Sequence, residues 1–111
     1  MVDPLQFNIR NDQGKLLCPA CGFPDYAVTD AYDEAGGIPL SICPCCLWEP
    51  GFDDNPAASS SAQETILASV KVYRAEWSAA AAWRGHGDLK PMNWDAVAQL
   101  AHLLKVSPYV R

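Results

Sequence analysis

The sequence is short of basic residues, with eight Lys and Arg against 13 Asp and Glu and a formal net charge of −5. Residues 1–60 carry nine acidic and two basic side chains, whereas residues 61–111 carry four acidic and six basic ones. Nucleic-acid affinity rests largely on Lys and Arg side chains that displace counterions from phosphates. The acidic first half therefore argues against nucleic acid as a ligand and favours a basic protein partner.

Long apolar runs are also missing from the chain. No stretch approaches the roughly 20 apolar residues that a membrane-spanning helix needs. The first residues, Met-Val-Asp-Pro-Leu-Gln, have neither the basic nor the apolar segment of a secretory signal. We therefore expect no membrane association and a cytoplasmic location, where thiols stay reduced. The cysteine count of five is odd, so complete disulfide pairing is impossible and metal binding is favoured.

What the sequence does have is two matched cysteine pairs, each in a short turn that we call a knuckle. Cys18 and Cys21 flank Pro-Ala in the first knuckle, and Cys43 and Cys46 flank Pro-Cys in the second. A two-residue gap lets both thiolates of a knuckle face one ion, and four thiolates make a closed tetrahedral zinc site. Cys45 is the spare thiol, because Cys43 with Cys46 reproduces the spacing of the first knuckle.

Two other interpretations of the cysteines remain open at this point. The five thiols could form disulfides or lie free in the core. Four of them could also bind iron in a redox centre of the rubredoxin type, since zinc and iron sites use similar turns.

The predicted metal site argues against an enzyme. Four cysteine ligands leave no open coordination position, so the metal cannot activate water. His86 and His102 are not needed as ligands, and we expect the first in a solvated turn and the second at a helix border. No Ser/His/Asp order and no phosphate-binding glycine loop stands out in the sequence.

The pattern predicts an α+β fold in one domain. Residues 1–60 would form a small zinc-ribbon-like β region, and residues 61–111 would form two α-helices packed on it. Alternating apolar residues predict a strand within residues 1–10, residues 26–29 predict a second strand, and residues 33–37 predict a loop tip between the knuckles. Trp48, directly after the second knuckle, is expected to cover the metal site.

Capping signals and apolar stripes define the two predicted helices. Ser61 and Glu64 match a capping box, which predicts a helix over residues 62–84 that ends at Gly85. Asn93 predicts the cap of a second helix, which ends before Ser107. The expected apolar faces consist of Ile66, Val70, Tyr73 and Trp77 on the first helix and Trp94, Val97, Leu100, Ala101 and Leu104 on the second.

Four residues are candidates for a partner surface. Glu49, Asp53 and Asp54 lie close together in the loop after the second knuckle. They would meet a basic partner, although solvated loop charge is the simpler interpretation. Trp83 falls off the apolar stripe and would be a binding anchor if it is exposed, whereas packing in the core is the alternative.

The two knuckles and their continuation resemble the bacterial cysteine-rich CPCC domain family. The resemblance rests on Cys18-Pro-Ala-Cys-Gly-Phe-Pro and on Ile42-Cys-Pro-Cys-Cys-Leu-Trp-Glu, followed by Asp53-Asp-Asn-Pro and a Ser-capped helix. It implies Cys18, Cys21, Cys43 and Cys46 as the metal ligands. The family places its extra cysteine in the first knuckle, whereas this chain has Cys45 in the second, so the extra cysteine is not expected to be catalytic.

The resemblance also implies a function, since proteins of this kind are associated with toxins as immunity proteins. We therefore predict a non-catalytic zinc-binding protein that binds and neutralises a basic toxin domain. The alternative is a nucleic-acid-binding or regulatory zinc ribbon with a basic strip formed by Lys71, Arg74, Arg84 and Lys90. An electron-transfer protein with iron is a third possibility.

Overall fold

Two short antiparallel sheets and two α-helices make up the protein, for which a computed structural model describes residues 3–111. The elements are β1 (Ile9–Arg10), β2 (Leu16–Leu17), β3 (Tyr32–Asp33), β4 (Gly36–Gly37), α1 (Ile66–Ala80) and α2 (Ala96–Val106). Within the described residues, β1 pairs only with β2, and β3 pairs only with β4. The predicted α+β class is confirmed in this coarse form, while the strands, of two residues each, leave the zinc-ribbon assignment a prediction.

The strand predicted within residues 1–10 is wrong for most of its described length. Pro4–Phe7 forms a 3₁₀ turn, and Pro4 stands at its first position, where the missing N–H costs little. The Asp3 carboxylate caps this turn by accepting from the N–H of Leu5 at 2.9 Å. Only Ile9–Arg10 is a strand, and residues 1 and 2 lie outside the described part of the chain.

The strand predicted at residues 26–29 is also wrong. Asp25 has a positive φ of 63°, which turns the chain immediately after an isolated bridge between Leu17 and Pro24. Tyr26 and the next residue are both buried, which is incompatible with the two-residue alternation of a half-buried strand. The loop tip predicted at 33–37 contains the turn of the β3–β4 hairpin.

Helix α1 begins later than predicted. Its cap is Thr65, whose side-chain oxygen accepts from the N–H of Ala68 at 3.0 Å. The capping box predicted at Ser61 does not form, and the Ser61 hydroxyl instead bonds the hydroxyl of Ser59. The residues before Thr65 therefore belong to the irregular segment that follows the second knuckle.

Helix α1 also ends earlier than predicted, and the reason is tertiary. Ala81 takes the left-handed conformation with a φ of 50°, so the helix stops before Gly85. The chain then lies against the second knuckle, where the N–H of Arg84 donates to the carbonyl of Cys45 at 2.8 Å. A Cβ atom on Gly85 would lie 2.0 Å from the carbonyl oxygen of Pro44, so only glycine fits at this crossing.

The apolar stripe predicted for α1 is confirmed, whereas the face predicted for α2 is partly wrong. Val70 and Trp77 are fully buried, and the other two stripe residues of α1 pack against the core. Helix α2 is capped by Asp95 rather than Asn93, because the Asp95 carboxylate accepts from two backbone N–H groups. Its buried residue is Leu103, which was not on the predicted face. Of the residues predicted for that face, three are half-buried, namely Trp94, Leu100 and Leu104. The other two, Val97 and Ala101, are exposed.

Gly22 brings the first knuckle directly onto helix α2. It follows Cys21 and has a φ of +87°, a conformation that favours glycine. A Cβ atom there would lie 2.6 Å from the carbonyl oxygen of Gln99 and 2.9 Å from Cβ of Leu103. This contact fixes where the helical half of the chain lies relative to the cysteines.

Gly22→Ala should lower the free energy of unfolding by about 3 kcal/mol or more, as the sum of backbone strain and overpacking against α2. Gly14→Ala is the matched control, because Gly14 also has a positive φ of 76° but no atom within 4 Å of its added Cβ. It should lose only about 1 kcal/mol. Chemical denaturation of the metal-loaded variants measures both values, and equal losses would contradict the packing described here.

Candidate metal centre

The four predicted sulfurs converge on one point in the core. The Sγ atoms of Cys18, Cys21, Cys43 and Cys46 all lie within 4.8 Å of one another. The Cys18–Cys46 and Cys21–Cys43 sulfur pairs are both 3.7 Å apart. A tetrahedron with metal–sulfur bonds of about 2.3 Å has sulfur–sulfur edges of about 3.8 Å, so the donor set fits one ion. These four thiols could hold a metal ion, and zinc remains the prediction among the metals that accept such a set.

The two knuckles have the same backbone geometry. In each, the N–H of the first cysteine donates to the carbonyl five residues later, and its carbonyl accepts from the N–H four residues later. The distances are 3.0 Å for Cys18 N to Phe23 O, 2.8 Å for Gly22 N to Cys18 O, 2.8 Å for Cys43 N to Trp48 O and 2.9 Å for Leu47 N to Cys43 O. Leu47 adopts a φ of 69° where the first knuckle has glycine, so the second knuckle makes the same turn at a cost in backbone strain.

The four sulfurs are completely shielded from solvent. Each of the four cysteines is 0% exposed. Burial raises the pKa of all four thiols above the ordinary value, because a thiolate without a metal would lose its hydration. The thiols therefore hold their protons at neutral pH until a metal ion displaces them.

Metal affinity should rise steeply with pH. Since the raised pKa values keep the free thiols protonated, binding releases protons, and each released proton adds up to about tenfold in affinity per pH unit. Competition of the protein with a chromogenic chelator for Zn²⁺ at pH 6.0 and 7.5 measures this dependence. An affinity that does not change over this range would contradict a four-thiolate site.

Cys45 lies beside the predicted ligands without joining the four-sulfur group. It is buried, and its sulfur lies 3.5 Å from Nε2 of Gln99. Its pKa is lowered, mainly by a hydrogen bond with Cys21, with smaller effects from Gln99 and the charge of Arg84. All five cysteines are free thiols, so the disulfide interpretation is not supported.

The variants Cys43→Ser and Cys45→Ser should behave differently. The first removes one of four ligands, so we expect loss of metal and of folding, because binding free energy is folding free energy in a small metal-dependent domain. The second should keep a stoichiometric ion and the native far-UV circular dichroism. Metal content by mass spectrometry and the thiolate-to-cobalt absorption of the Co²⁺-loaded proteins report both outcomes. A metal-free but folded C43S protein would refute the site.

Side chains of α1 and α2 reach the knuckles from outside, and sequence reasoning missed them. The Tyr73 hydroxyl donates to the carbonyl of Cys46 at 2.6 Å. The guanidinium of Arg74 donates to the carbonyls of Pro19 and Ala20. The Gln99 amide donates to the carbonyl of Cys21 at 3.0 Å.

A signal for Arg74 was present in the sequence. Arg74 stands four residues after Val70 and three before Trp77, so it lies on the buried stripe of α1. A charged residue at such a position indicates a buried polar contact. Gln99 offers no comparable signal, because its role depends on where α2 meets the first knuckle.

The tryptophans occupy two different environments. Trp48 is fully buried after the second knuckle, where its Nε1 donates to the hydroxyl of Tyr32 at 3.1 Å and its ring packs edge-on against Tyr73. Trp83 is half-buried, and its ring packs edge-on against Phe23 and Trp94. Trp83 therefore belongs to an aromatic cluster and is not a freely exposed anchor.

Two carboxylates of the acidic loop at residues 49–54 accept hydrogen bonds from backbone N–H groups of the same loop. The Asp53 carboxylate accepts from the N–H of Glu49 at 2.7 Å, and the Asp54 carboxylate accepts from the N–H of Gly51 at 2.8 Å. Asp54 is only 7% exposed, and burial raises the pKa values of both aspartates. The prediction of Asp54 as a surface contact is therefore wrong, because Asp54 is a buried loop residue. Glu49 and Asp53 are half-exposed.

The two histidines are exposed and stand outside the four-sulfur group. Within residues 3–111, neither helix has the length and hydropathy needed to cross a bilayer. Comparison of the chain with protein-family models, with curated proteins and with solved structures gave no match. The similarity to the CPCC domain family therefore stays a resemblance carried by the motifs alone.

Proposed function

We propose that this chain is a non-catalytic protein-binding module, held in shape by one structural zinc ion, whose partner is a basic protein. In its specific form, which rests on the resemblance to the CPCC domain family, it is an immunity protein that binds and neutralises a basic toxin domain. The observation that carries the proposal is the complete burial of the four sulfurs. A shielded ion with four protein ligands supports the fold and has no open coordination position for a substrate, so the function is carried by the protein surface.

The surface charge supports a basic partner. Both basic residues of the first half are engaged by acids, with Arg10 bonded to Asp30 at 2.7 Å and Lys15 lying 3.7 Å from Asp25. Within residues 3–111, the other acids of this half that are not buried have no basic partner within 4.0 Å: Asp3, Asp12, Asp33, Glu34, Glu49 and Asp53. An acidic surface of this kind speeds the association of a basic protein.

One part of this surface also offers apolar contacts. We call residues 40–53 the second-knuckle face. Its large apolar side chains, Leu40, Ile42, Leu47 and Phe52, are between 43% and 82% exposed. Protein interfaces combine an apolar centre with a polar rim, and Glu49 supplies a charged rim residue here.

The nucleic-acid alternative loses its basic strip. Arg74 is buried, and Arg84 is paired with Glu76. Lys90 lies over the ring of Trp94, 5.5 Å from its centroid, which leaves Lys71 as the remaining member of the predicted strip. An isolated lysine provides little of the counterion release on which nucleic-acid affinity rests.

The proposal is tested with the product of the gene adjacent to the one for this chain. We expect a basic toxin domain that co-purifies with this chain and loses its activity in the complex. Glu49→Lys should slow association by about tenfold and reduce its salt dependence, because rim charges act mainly on the association rate. Asp12→Lys makes the same charge change in the turn after β1 and should alter the rate by less than about threefold. Surface plasmon resonance at two salt concentrations measures both rates.

Two outcomes would contradict the proposal. Equal effects of E49K and D12K on the association rate would show that the second-knuckle face is not the surface that binds the partner. Absence of any complex with the neighbouring product, together with tight and salt-sensitive binding of DNA or RNA by the chain alone, would establish the nucleic-acid alternative instead.

A further inference from the structure

Arg74 is a buried cation at the centre of three segments of the chain. It stands on α1 and is 9% exposed. Its Nε donates to the carbonyl of Ala20 at 2.8 Å, its Nη2 to the carbonyl of Pro19 at 2.6 Å and its Nη1 to the carbonyl of Val110 at 2.7 Å. One guanidinium thus joins α1, the two residues between the cysteines of the first knuckle and the C-terminal 3₁₀ turn Pro108–Val110.

The charge of Arg74 has no carboxylate partner in the part of the chain that the structure describes. The ion pairs of residues 3–111 involve Arg10, Lys15, Arg84 and His86, and no acidic oxygen lies within 4.0 Å of the Arg74 nitrogens. Carbonyl groups satisfy its hydrogen bonds, but they do not neutralise a full positive charge. A buried charge without an opposite charge is strongly unfavourable, so the fold must supply one elsewhere.

The four-sulfur centre is the candidate for this opposite charge. The carbonyls that Arg74 bonds belong to the two residues between Cys18 and Cys21. Four thiolates around one divalent ion leave two excess negative charges in a dry site. Burial lowers the pKa of Arg74, and the charges of Cys18 and Cys21 act on this pKa in the opposite direction. A permanently charged guanidinium is suited to such a place, because it does not lose its proton.

We propose that Arg74 is the built-in counter-charge of the metal–thiolate centre, and that it couples metal binding to the docking of α1 and the C-terminal turn on the first knuckle. Arg74 is a positioning residue, since it acts on the centre through the backbone of residues 19 and 20 and through its charge. The inference depends on metal occupation of the four-sulfur group and is independent of which protein the surface binds.

The test must separate charge from hydrogen bonding. Arg74→Gln keeps donor groups and removes the charge, Arg74→Lys keeps the charge and removes the planar fork, and Lys71→Gln removes an exposed positive charge from the same helix. We expect R74Q to lower the affinity for Co²⁺ at least tenfold, R74K to recover most of that loss, and K71Q to stay within twofold of the unchanged protein. Titrations followed by the thiolate-to-cobalt absorption give these affinities.

The iron-substituted protein gives a readout that a purely structural role would not move. Loss of a nearby positive charge stabilises the ferric state relative to the ferrous state, because net charge sets the potential of such centres. The reduction potential should therefore fall in R74Q and stay near the original value in R74K and K71Q. A potential that is unchanged in R74Q, or that falls equally in R74Q and R74K, would overturn the proposal.

If a variant does not fold, the pattern of folding among the variants still tests the proposed counter-charge. If R74Q does not fold with metal but R74K does, the requirement is for charge, as proposed. If R74K fails to fold as R74Q does, Arg74 acts only by the geometry of its hydrogen bonds, and the counter-charge is refuted.

Discussion

The convergence of four cysteine sulfurs from two turns, 25 residues apart in the chain, is the constraint on which the rest of the structure depends. The sheets flanking these turns have only two residues in each strand. A two-stranded ribbon of this size is not stable alone in water. A metal ion held by these four soft ligands would supply the stability that the sheets lack, because metal binding in a small domain contributes directly to folding.

The helices complete the centre from the outside. They bring three polar side chains to carbonyl groups of the two knuckles: Tyr73, Arg74 and Gln99. Gly22 allows α2 to lie against the first knuckle, and Gly85 allows the segment after α1 to cross the second. Each knuckle therefore has the four-sulfur group on one side and helical residues on the other. The two halves of the sequence share one apolar core for this reason.

The sequence allowed prediction of the parts whose signals are local. The spacing of Cys18, Cys21, Cys43 and Cys46 was sufficient to predict the four-sulfur group, and the apolar stripe was sufficient to predict α1. The C-terminal end of α1 was missed because a tertiary contact decides it, namely the hydrogen bond from Arg84 to the carbonyl of Cys45, and its start was missed because Thr65 rather than Ser61 is the cap. The strand predicted before the first knuckle was wrong because Asp3 and Pro4 begin a 3₁₀ turn there. Asp54 was predicted at the surface because composition does not show which loop acids are buried.

The central claim is that a metal ion in the four-sulfur group holds the fold together. It is tested most directly by removing metal from the unchanged protein with a strong chelator under reducing conditions and recording its far-UV circular dichroism and tryptophan fluorescence. The account predicts loss of helix signal and exposure of the buried Trp48 and Trp77, both reversed by one equivalent of Zn²⁺. A metal-free protein that keeps its helix content and unfolds cooperatively at the same denaturant concentration would contradict it.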